Sequence, residues 1–196
     1  MGFVLDGPDG ADVENSIMSP LSTNRLTLRQ FEIADTEAFA ALNADPEVMA
    51  DLGRPLSRPE SDAKLDRYIA AYEQTGFSRY VVENKQGSFL GYTGLMLRNF
   101  APLGLHYDLG WRLNRAAWGQ GYVTEAATAV IKSALSHPAV PEILAYTGPD
   151  NVRSQNVMRR LKLKRRPELD FSMNLETMTM PWYGFVWSAA ANDSLI

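Results

Sequence analysis

The chain contains no cysteine. Disulfide bonds, cysteine-ligated metals and thiolate catalysis are therefore excluded, and the composition is typical of a reducing compartment. No apolar run approaches the roughly 18 residues that a membrane span requires. The first residues lack the basic flank of a signal peptide. We expect a cytoplasmic protein with no membrane association and no bound metal.

Basic charge is not in excess either. Lys and Arg number 19 against 23 Asp and Glu, which gives a net charge of −4, whereas a general nucleic-acid binder is normally basic. We therefore expect no nucleic-acid partner. The 196 residues, 45% of them apolar, suffice for one well-buried domain. We assign 1–20 to a flexible N-terminal extension, 21–190 to a single domain and 191–196 to a tail, in a monomer or homodimer.

Hydrophobic periodicity predicts a mixed order of elements and an α+β (mixed α/β) fold. Capping residues mark helix starts at Asp35, at Ser57 with Glu60, and at Asn151 or Asp150. The predicted strands are 25–30, 77–83, 88–98, 105–113, 143–147, 169–173 and 177–187. The predicted helices are one from 35 that ends near 43–46, and those at 57–76, 122–135 and 151–161.

The most informative stretch joins a strand end to a helix through a loop that contains Gly119 and Gly121. Glycine lets the chain turn sharply and lets a ligand approach the backbone. Free N–H groups of the loop and of the first helical turn then converge on one spot, which binds anions. A diphosphate would fit. The alternative is an ordinary turn before a surface helix.

Two other phosphate motifs match this loop poorly. The dinucleotide fingerprint requires a third glycine where Thr124 stands, and it belongs to an early βαβ unit. The Walker loop requires a lysine at the helix start, and none occurs between Leu113 and Ile131. Both motifs are disfavoured.

The segment from Arg115 to Ala126, with the sequence RAAWGQGYVTEA, resembles the acetyl-CoA loop of the GNAT acetyltransferases. The likeness is strongest to the branch around ribosomal-protein-alanine N-acetyltransferases. Three further blocks resemble that branch in the same order, namely TNRLTLR from Thr23, DLGWRL from Asp108 and NVRSQNVMRRL from Asn151. The likeness covers about residues 23–187.

This resemblance implies a mostly antiparallel sheet, splayed at its centre where acetyl-CoA enters between strands 105–113 and 143–147, with flanking helices. The pantetheine arm would pair with the backbone of Trp111, Arg112 and Leu113. The pyrophosphate would rest on the backbone N–H groups of Trp118 through Tyr122, and the thioester would face Asn151. The cofactor-binding set is completed by Ala117, Trp118, Gly119, Gln120, Gly121, Tyr122, Asn156 and Arg159.

The sequence offers fewer indications of which residues act on the acceptor amine. The candidate bases are Asp108 and His106, which lie two apart on one strand and so share a face. Asp108 stands where many relatives carry glutamate, whereas for His106 we favour a surface or structural role. Asp108 is either a base acting through water or a residue that hydrogen-bonds its neighbours. The family's proton-donating tyrosine is replaced by Met158, which cannot donate, while Ser154 could contact the thiolate. The glycine that often ends this helix is Lys162.

A basic run from Arg153 to Arg166 has three interpretations: a solvated face, which we favour, contacts to the 3′-phosphate of the cofactor, or an RNA patch. The resemblance implies an N-acetyltransferase that uses acetyl-CoA and an amine acceptor in direct attack within a ternary complex. The acceptor is a protein N-terminal α-amine or a small-molecule amine such as an antibiotic or polyamine. The missing tyrosine keeps open a non-catalytic acyl-CoA-binding module.

Overall fold

The computed structural model describes residues 20–174, 178–191 and 193. The predicted extension at 1–20 therefore lies, apart from Pro20, outside the described residues. The strands are β1 Leu21–Ser22, β2 Leu26–Arg29, β3 Arg79–Asn84, β4 Phe89–Phe100, β5 Gly104–Leu113, β6 Glu142–Thr147, β7 Lys164–Arg165, β8 Phe171–Met173 and β9 Trp182–Ala190. The helices are α1 Thr36–Ala44, α2 Pro46–Met49, α3 Arg58–Thr75, α4 Tyr122–Leu135 and α5 Val152–Arg160.

The strands form one sheet in the order β1-β2-β3-β4-β5-β6-β9-β7, with β8 also paired to β9. All neighbours are antiparallel except β5 and β6, which run parallel. Those two strands pair only at Tyr107 with Ile143 and at Asp108 with Leu144. Beyond these pairs β5 continues to Leu113 and β6 to Thr147, so the sheet opens into a wedge. The predicted splayed, mostly antiparallel sheet is confirmed.

Helices cover the two faces of the sheet in separate groups. Tyr80 and Val82 of β3 belong to the core under α4 and α5, whereas Val81 between them belongs to the core under α1 and α3. This alternation follows from the two-residue period of a strand. The second core contains a ring of aromatic side chains, Phe31, Phe39, Tyr68 and Tyr92. Each helix thus buries one apolar stripe against a strand face.

Local signals placed most helix ends correctly. Helix α4 has the predicted bounds, and Ser57 and Glu60 form the predicted capping box at the start of α3. Gly76 ends α3 in the left-handed conformation with φ 71°. Asp35 occupies the N-cap position of α1 as predicted, but its carboxylate pairs with Arg29 at 2.7 Å and makes no capping bond to that helix.

Several elements differ from the predictions. Strand β1 and helix α2 were not predicted, and α2 forms because the Asp45 carboxylate accepts from the backbone N–H groups of Glu47 and Val48. The last strand begins at Trp182 and ends at Ala190, whereas 177–187 was predicted, and Thr177 lies outside the described residues. Elements of two to four residues carry too little periodicity to be recognised in the sequence.

Helix α5 ends in a strained turn. The N–H of Lys162 donates to the carbonyl of Arg159 and the N–H of Leu163 to the carbonyl of Met158, both at 3.0 Å. This is the Schellman pattern, whose left-handed residue is usually glycine. Lys162 adopts φ 56° there, the only non-glycine positive φ among the described residues. The position where relatives carry glycine therefore retains the glycine conformation.

Candidate active site

The glycine loop, residues 115–122, follows β5 directly at the wide side of the wedge. A 3-10 turn over Arg115–Ala117 leads to Gly119 with φ 74° and Gly121 with φ 77°. Trp118 fixes the loop because its indole Nε1 donates to the carbonyl of Leu113 at 2.8 Å and its ring packs against both cores. Trp118 thus acts as a packing anchor for the loop.

Within the described residues, the backbone donors of the loop are paired at Ala117 and Trp118 and free from Gly119 onward. The N–H of Trp118 donates to the carbonyl of Arg115 at 3.0 Å, so the expectation that this amide binds pyrophosphate is wrong. The first internal bond of α4 runs from Glu125 N–H to the carbonyl of Gly121 at 3.0 Å. The N–H groups of residues 119–124 have no acceptor in the part of the chain that the structure describes. Together with the positive end of α4, they form a cradle that fits a diphosphate.

The start of β2 supports the loop from the side. The Arg25 guanidinium pairs with Glu125 at 2.6 Å, donates to the carbonyl of Gln120 at 3.0 Å and lies 4.6 Å from the ring centre of Tyr122. Burial opposes ionisation of Glu125, but hydrogen bonds from Thr23 and Arg25 outweigh it and lower the pKa of this carboxyl. No spacing rule links residues 100 positions apart, so sequence reasoning missed this support.

Two open concavities flank the loop. One, of about 590 Å³, runs along α4 and is lined by Thr124, Thr128, Lys132 and Arg160. The other, of about 600 Å³, is lined by residues that include Glu47, Arg115 and Trp118, over which the Arg153 guanidinium lies at 4.2 Å from the ring centre. Basic side chains therefore line the concavities on both sides of the cradle.

The remaining predicted cofactor residues on α5 lie further out. The exposed Arg159 donates to the side chain of Asn156 at 2.7 Å and lines neither concavity. Much of the basic run is occupied by ion pairs: Lys164 with Asp193, Arg165 with Asp170, and Arg166 with Glu142 and Glu168. This part of the run is thus a surface of ion-paired side chains.

The wedge is bordered on the other side by the start of α5. The Asn151 side chain caps this helix, accepting from the N–H of Ser154 at 3.0 Å. Ser154 is half-buried in the first helical turn. Met158 is 1% exposed and packs in the core with Leu161, so its side chain faces away from solvent. The position of the family's tyrosine therefore supplies no proton donor here.

Asp108 is buried and paired. Its carboxylate accepts from the Arg79 guanidinium, which also donates to the carbonyls of Gly94 and of Asp108 itself. Burial opposes the charge on Arg79, but the Asp108 carboxylate and nearby phenols raise the pKa of Arg79 above its usual range. His106 is buried as well, with Nδ1 at 2.9 Å from the carbonyl of Gly104. These contacts favour a structural role for both candidate bases.

Arg112 points to the same face as Asp108 and meets the segment before α3. It donates to the carbonyl of Val48, and its Nη1 and Nη2 lie 3.2 and 3.5 Å from the two carboxylate oxygens of Asp51. The Asn151 side-chain amide donates to the same carboxylate at 3.2 Å. Asp51 therefore joins β5 to α5 across the mouth of the wedge, a contact that the sequence did not indicate.

Behind Arg112 lies a second polar cluster, formed by Lys64, Asn43 and Tyr92. The half-buried Lys64 ammonium donates to the Asn43 side chain at 2.9 Å and to the Tyr92 hydroxyl at 3.3 Å. It lies among the aromatic side chains of α1, α3 and β4. Burial lowers the pKa of Lys64. Burial would raise the pKa of Tyr92, but the cations Lys64 and Arg112 outweigh it and lower this pKa to about 7.

No three His, Asp or Glu side chains among the described residues are grouped as metal ligands. None of the described helices is both long and apolar enough to cross a bilayer.

Comparisons with known proteins agree with this geometry. A family model described as an acetyltransferase (GNAT) domain matches residues 25–164. The uncharacterized N-acetyltransferase YnaD of Bacillus subtilis is 25% identical over 147 residues, which cover 74% of this chain and 82% of the relative.

Two solved structures share the fold at low identity. RimL, a ribosomal α-N-protein acetyltransferase in complex with coenzyme A, is 14% identical with a TM-score of 0.69, covering 86% of this chain and 95% of its own. Spermidine N-acetyltransferase from Vibrio cholerae, in complex with CoA and spermine, is 15% identical with a TM-score of 0.69, covering 86% and 97%.

The splayed sheet with a free-amide loop after one of its two parallel strands is consistent with the matching family model. The chain belongs to the GNAT acetyltransferase family and is an acetyl-transferring enzyme.

Proposed function

We propose that this enzyme binds acetyl-CoA in the wedge between β5 and β6 and transfers the acetyl group to an amine by direct attack in a ternary complex. The observation that carries the proposal is the set of unpaired amides at 119–124, at the positive end of α4. Charge-assisted hydrogen bonds are worth about 1.5–3 kcal/mol each, so three or four of them would hold a diphosphate firmly.

The rest of the cofactor has a matching surface. Residues 109–113 of β5 have no partner strand on the β6 side within the described residues. Their free backbone groups would pair with the amides of the pantetheine arm, as an added strand pairs with a sheet edge. Lys132 and Arg160, in the concavity along α4, would contact the phosphates of the nucleotide end.

The acceptor must present a neutral amine. At pH 7 an α-amine with a pKa near 8 is neutral about one time in ten, and a lysine with a pKa near 10.4 well under one time in a thousand. An α-amine therefore requires less help from a base. We propose a protein N-terminal α-amine as the first acceptor and a small-molecule amine as the second, since RimL and the spermidine enzyme represent both kinds within this fold.

Thiol release from acetyl-CoA, measured with a panel of N-terminal peptides and of small amines, tests the proposal. Turnover with peptides alone supports the first acceptor, and turnover with polyamines or antibiotics supports the second. The buried Met158 favours one further candidate, a module that binds acyl-CoA without catalysis. Calorimetric binding of acetyl-CoA without turnover for every amine would establish that candidate and contradict the enzyme assignment.

A further inference from the structure

The Asp51 carboxylate bridges the two sides of the wedge. It lies in the 3-10 turn Ala50–Leu52, in the segment between α2 and α3. Its oxygens face Arg112, on the strand that bears the glycine loop, and Asn151, which caps the helix after the other wedge strand. An amine approaching a thioester held next to Asn151 would pass this carboxylate.

The two carboxylates on this face differ in availability. The Asp108 side chain is 11% exposed and is held tightly by Arg79. The Asp51 side chain is 33% exposed, and its three polar contacts are 3.2–3.5 Å long. Strong N–H to carboxylate bonds are about 2.7–2.9 Å long. The Asp51 carboxylate is therefore held in place by long hydrogen bonds, and its remaining lone pairs can accept from another donor.

We propose that Asp51, rather than Asp108, is the carboxylate that serves the acceptor amine. This inference rests on the proposed function. When the nitrogen lone pair forms the new C–N bond, the nitrogen gains a positive charge and the C–S bond breaks with release of the thiolate. Asp51 stabilises that positive charge and takes the N–H proton, which passes on to solvent or to the thiolate. The products are the amide and free thiol, so atoms and charges balance.

The neighbouring groups suit this role. Arg112 beside Asp51 and Lys64 behind Tyr92 place two cationic side chains at the floor of the site. The same cations disfavour a protonated amine, since like charges raise the free energy of the charged form. The acceptor would thus be drawn to Asp51 and reach the thioester as the neutral amine.

The test compares Asp51→Asn with Asp66→Asn, which removes the same charge from an exposed position on α3. General-base loss typically costs 10²–10⁴ in rate, so kcat/KM should fall about a hundredfold or more in Asp51→Asn and hardly change in Asp66→Asn. The acetyl-CoA Kd should stay unchanged in Asp51→Asn, because the carboxylate acts on the amine and not on the cofactor. Added formate should restore turnover to Asp51→Ala by replacing the lost carboxylate.

Equal turnover of the two Asn variants, or failure of formate to rescue Asp51→Ala, would overturn the assignment of Asp51 and leave the proposed function intact. Absence of turnover in the unmodified enzyme with every amine would instead overturn the proposed function, and the role of Asp51 with it. A loss of acetyl-CoA binding in Asp51→Asn would mean that Asp51 only holds the wedge in shape.

Discussion

Arg79 on β3 reaches Asp108 on β5 although β4 lies between their strands. The register explains how: Arg79 pairs with Gly94, and Gly94 pairs with Gly110. A Cβ at Gly110 would stand 2.6 Å from the Arg79 guanidinium. Because Gly94 and Gly110 have no side chains, they leave a channel across the sheet, and the Arg79 side chain lies along it.

Asp108→Asn should chiefly destabilise the fold. Removing the carboxylate leaves the Arg79 guanidinium buried without a counter-charge, which typically costs about 3–5 kcal/mol. Urea unfolding would measure this loss, and the double variant Arg79→Met, Asp108→Leu should recover most of it because both charges are gone. A stable Asp108→Asn protein with a large loss of turnover would instead favour the alternative in which Asp108 is the base.

Gly119→Val should weaken acetyl-CoA binding. A side chain there keeps the diphosphate from the loop amides, and loss of one charge-assisted bond of about 1.5–3 kcal/mol raises Kd about ten- to a hundredfold. Calorimetry gives the affinity. Gly87→Val in the β3–β4 turn is a matched control, since φ is 76° there and 74° at Gly119, and neither Cβ would meet an atom within 4 Å. Similar losses of affinity in both variants would refute the binding role of the loop.

Lys162→Gly should stabilise the protein. A non-glycine residue in the left-handed conformation costs about 1–2 kcal/mol, and the exposed Lys162 adopts φ 56°. For a chain of this size each kcal/mol raises Tm by about 2–4 °C. A thermal melt with unchanged or lower Tm would show that the lysine side chain compensates for its backbone strain.

Tyr92 should ionise near neutral pH. Its pKa is lowered to about 7 because Lys64 and Arg112 outweigh the opposing effect of burial, whereas an unfolded tyrosine ionises near pH 10. The folded state therefore releases the Tyr92 proton at a lower pH than the unfolded state does. The contribution of ionised Tyr92 to the free energy of unfolding grows as the pH rises from about 7 to about 10. That contribution is lost as the pH falls through about 7.

Ultraviolet titration of tyrosinate measures this directly. The step near pH 7 should disappear in Tyr92→Phe, shift upward in Lys64→Met, and persist in Tyr183→Phe, which changes an exposed tyrosine. A titration with no step below about pH 9 in the unmodified protein would contradict the electrostatics described for this cluster.

The features that could be predicted are those that depend on residues close together in the sequence. Helix α4 was bounded correctly because the glycine loop and the apolar face both lie within one short segment. The loop cradle was predicted from two glycines before a helix, and the wedge from a resemblance in four ordered blocks. Lys162 was recognised from that resemblance as the place of a helix-ending glycine, and its positive φ agrees.

The contacts that shape the acceptor side could not be predicted. Asp51 and Arg112 are 61 positions apart, and Arg79 and Asp108 are 29 apart with a strand between them. Such pairs depend on strand register and on the path of a loop, neither of which leaves a periodic signal. The available carboxylate was therefore sought on β5, where Asp108 follows the family pattern, and not in the turn that carries Asp51.

The most direct test of the account is the amide spectrum of the isotope-labelled protein as acetyl-CoA is added. We predict that the N–H resonances of Gly119 to Thr124 shift together on binding, with those of Gly87 and Trp118 moving far less, because only free donors can receive the diphosphate. Binding of acetyl-CoA that leaves the resonances of 119–124 unmoved, or no binding at all, would contradict it.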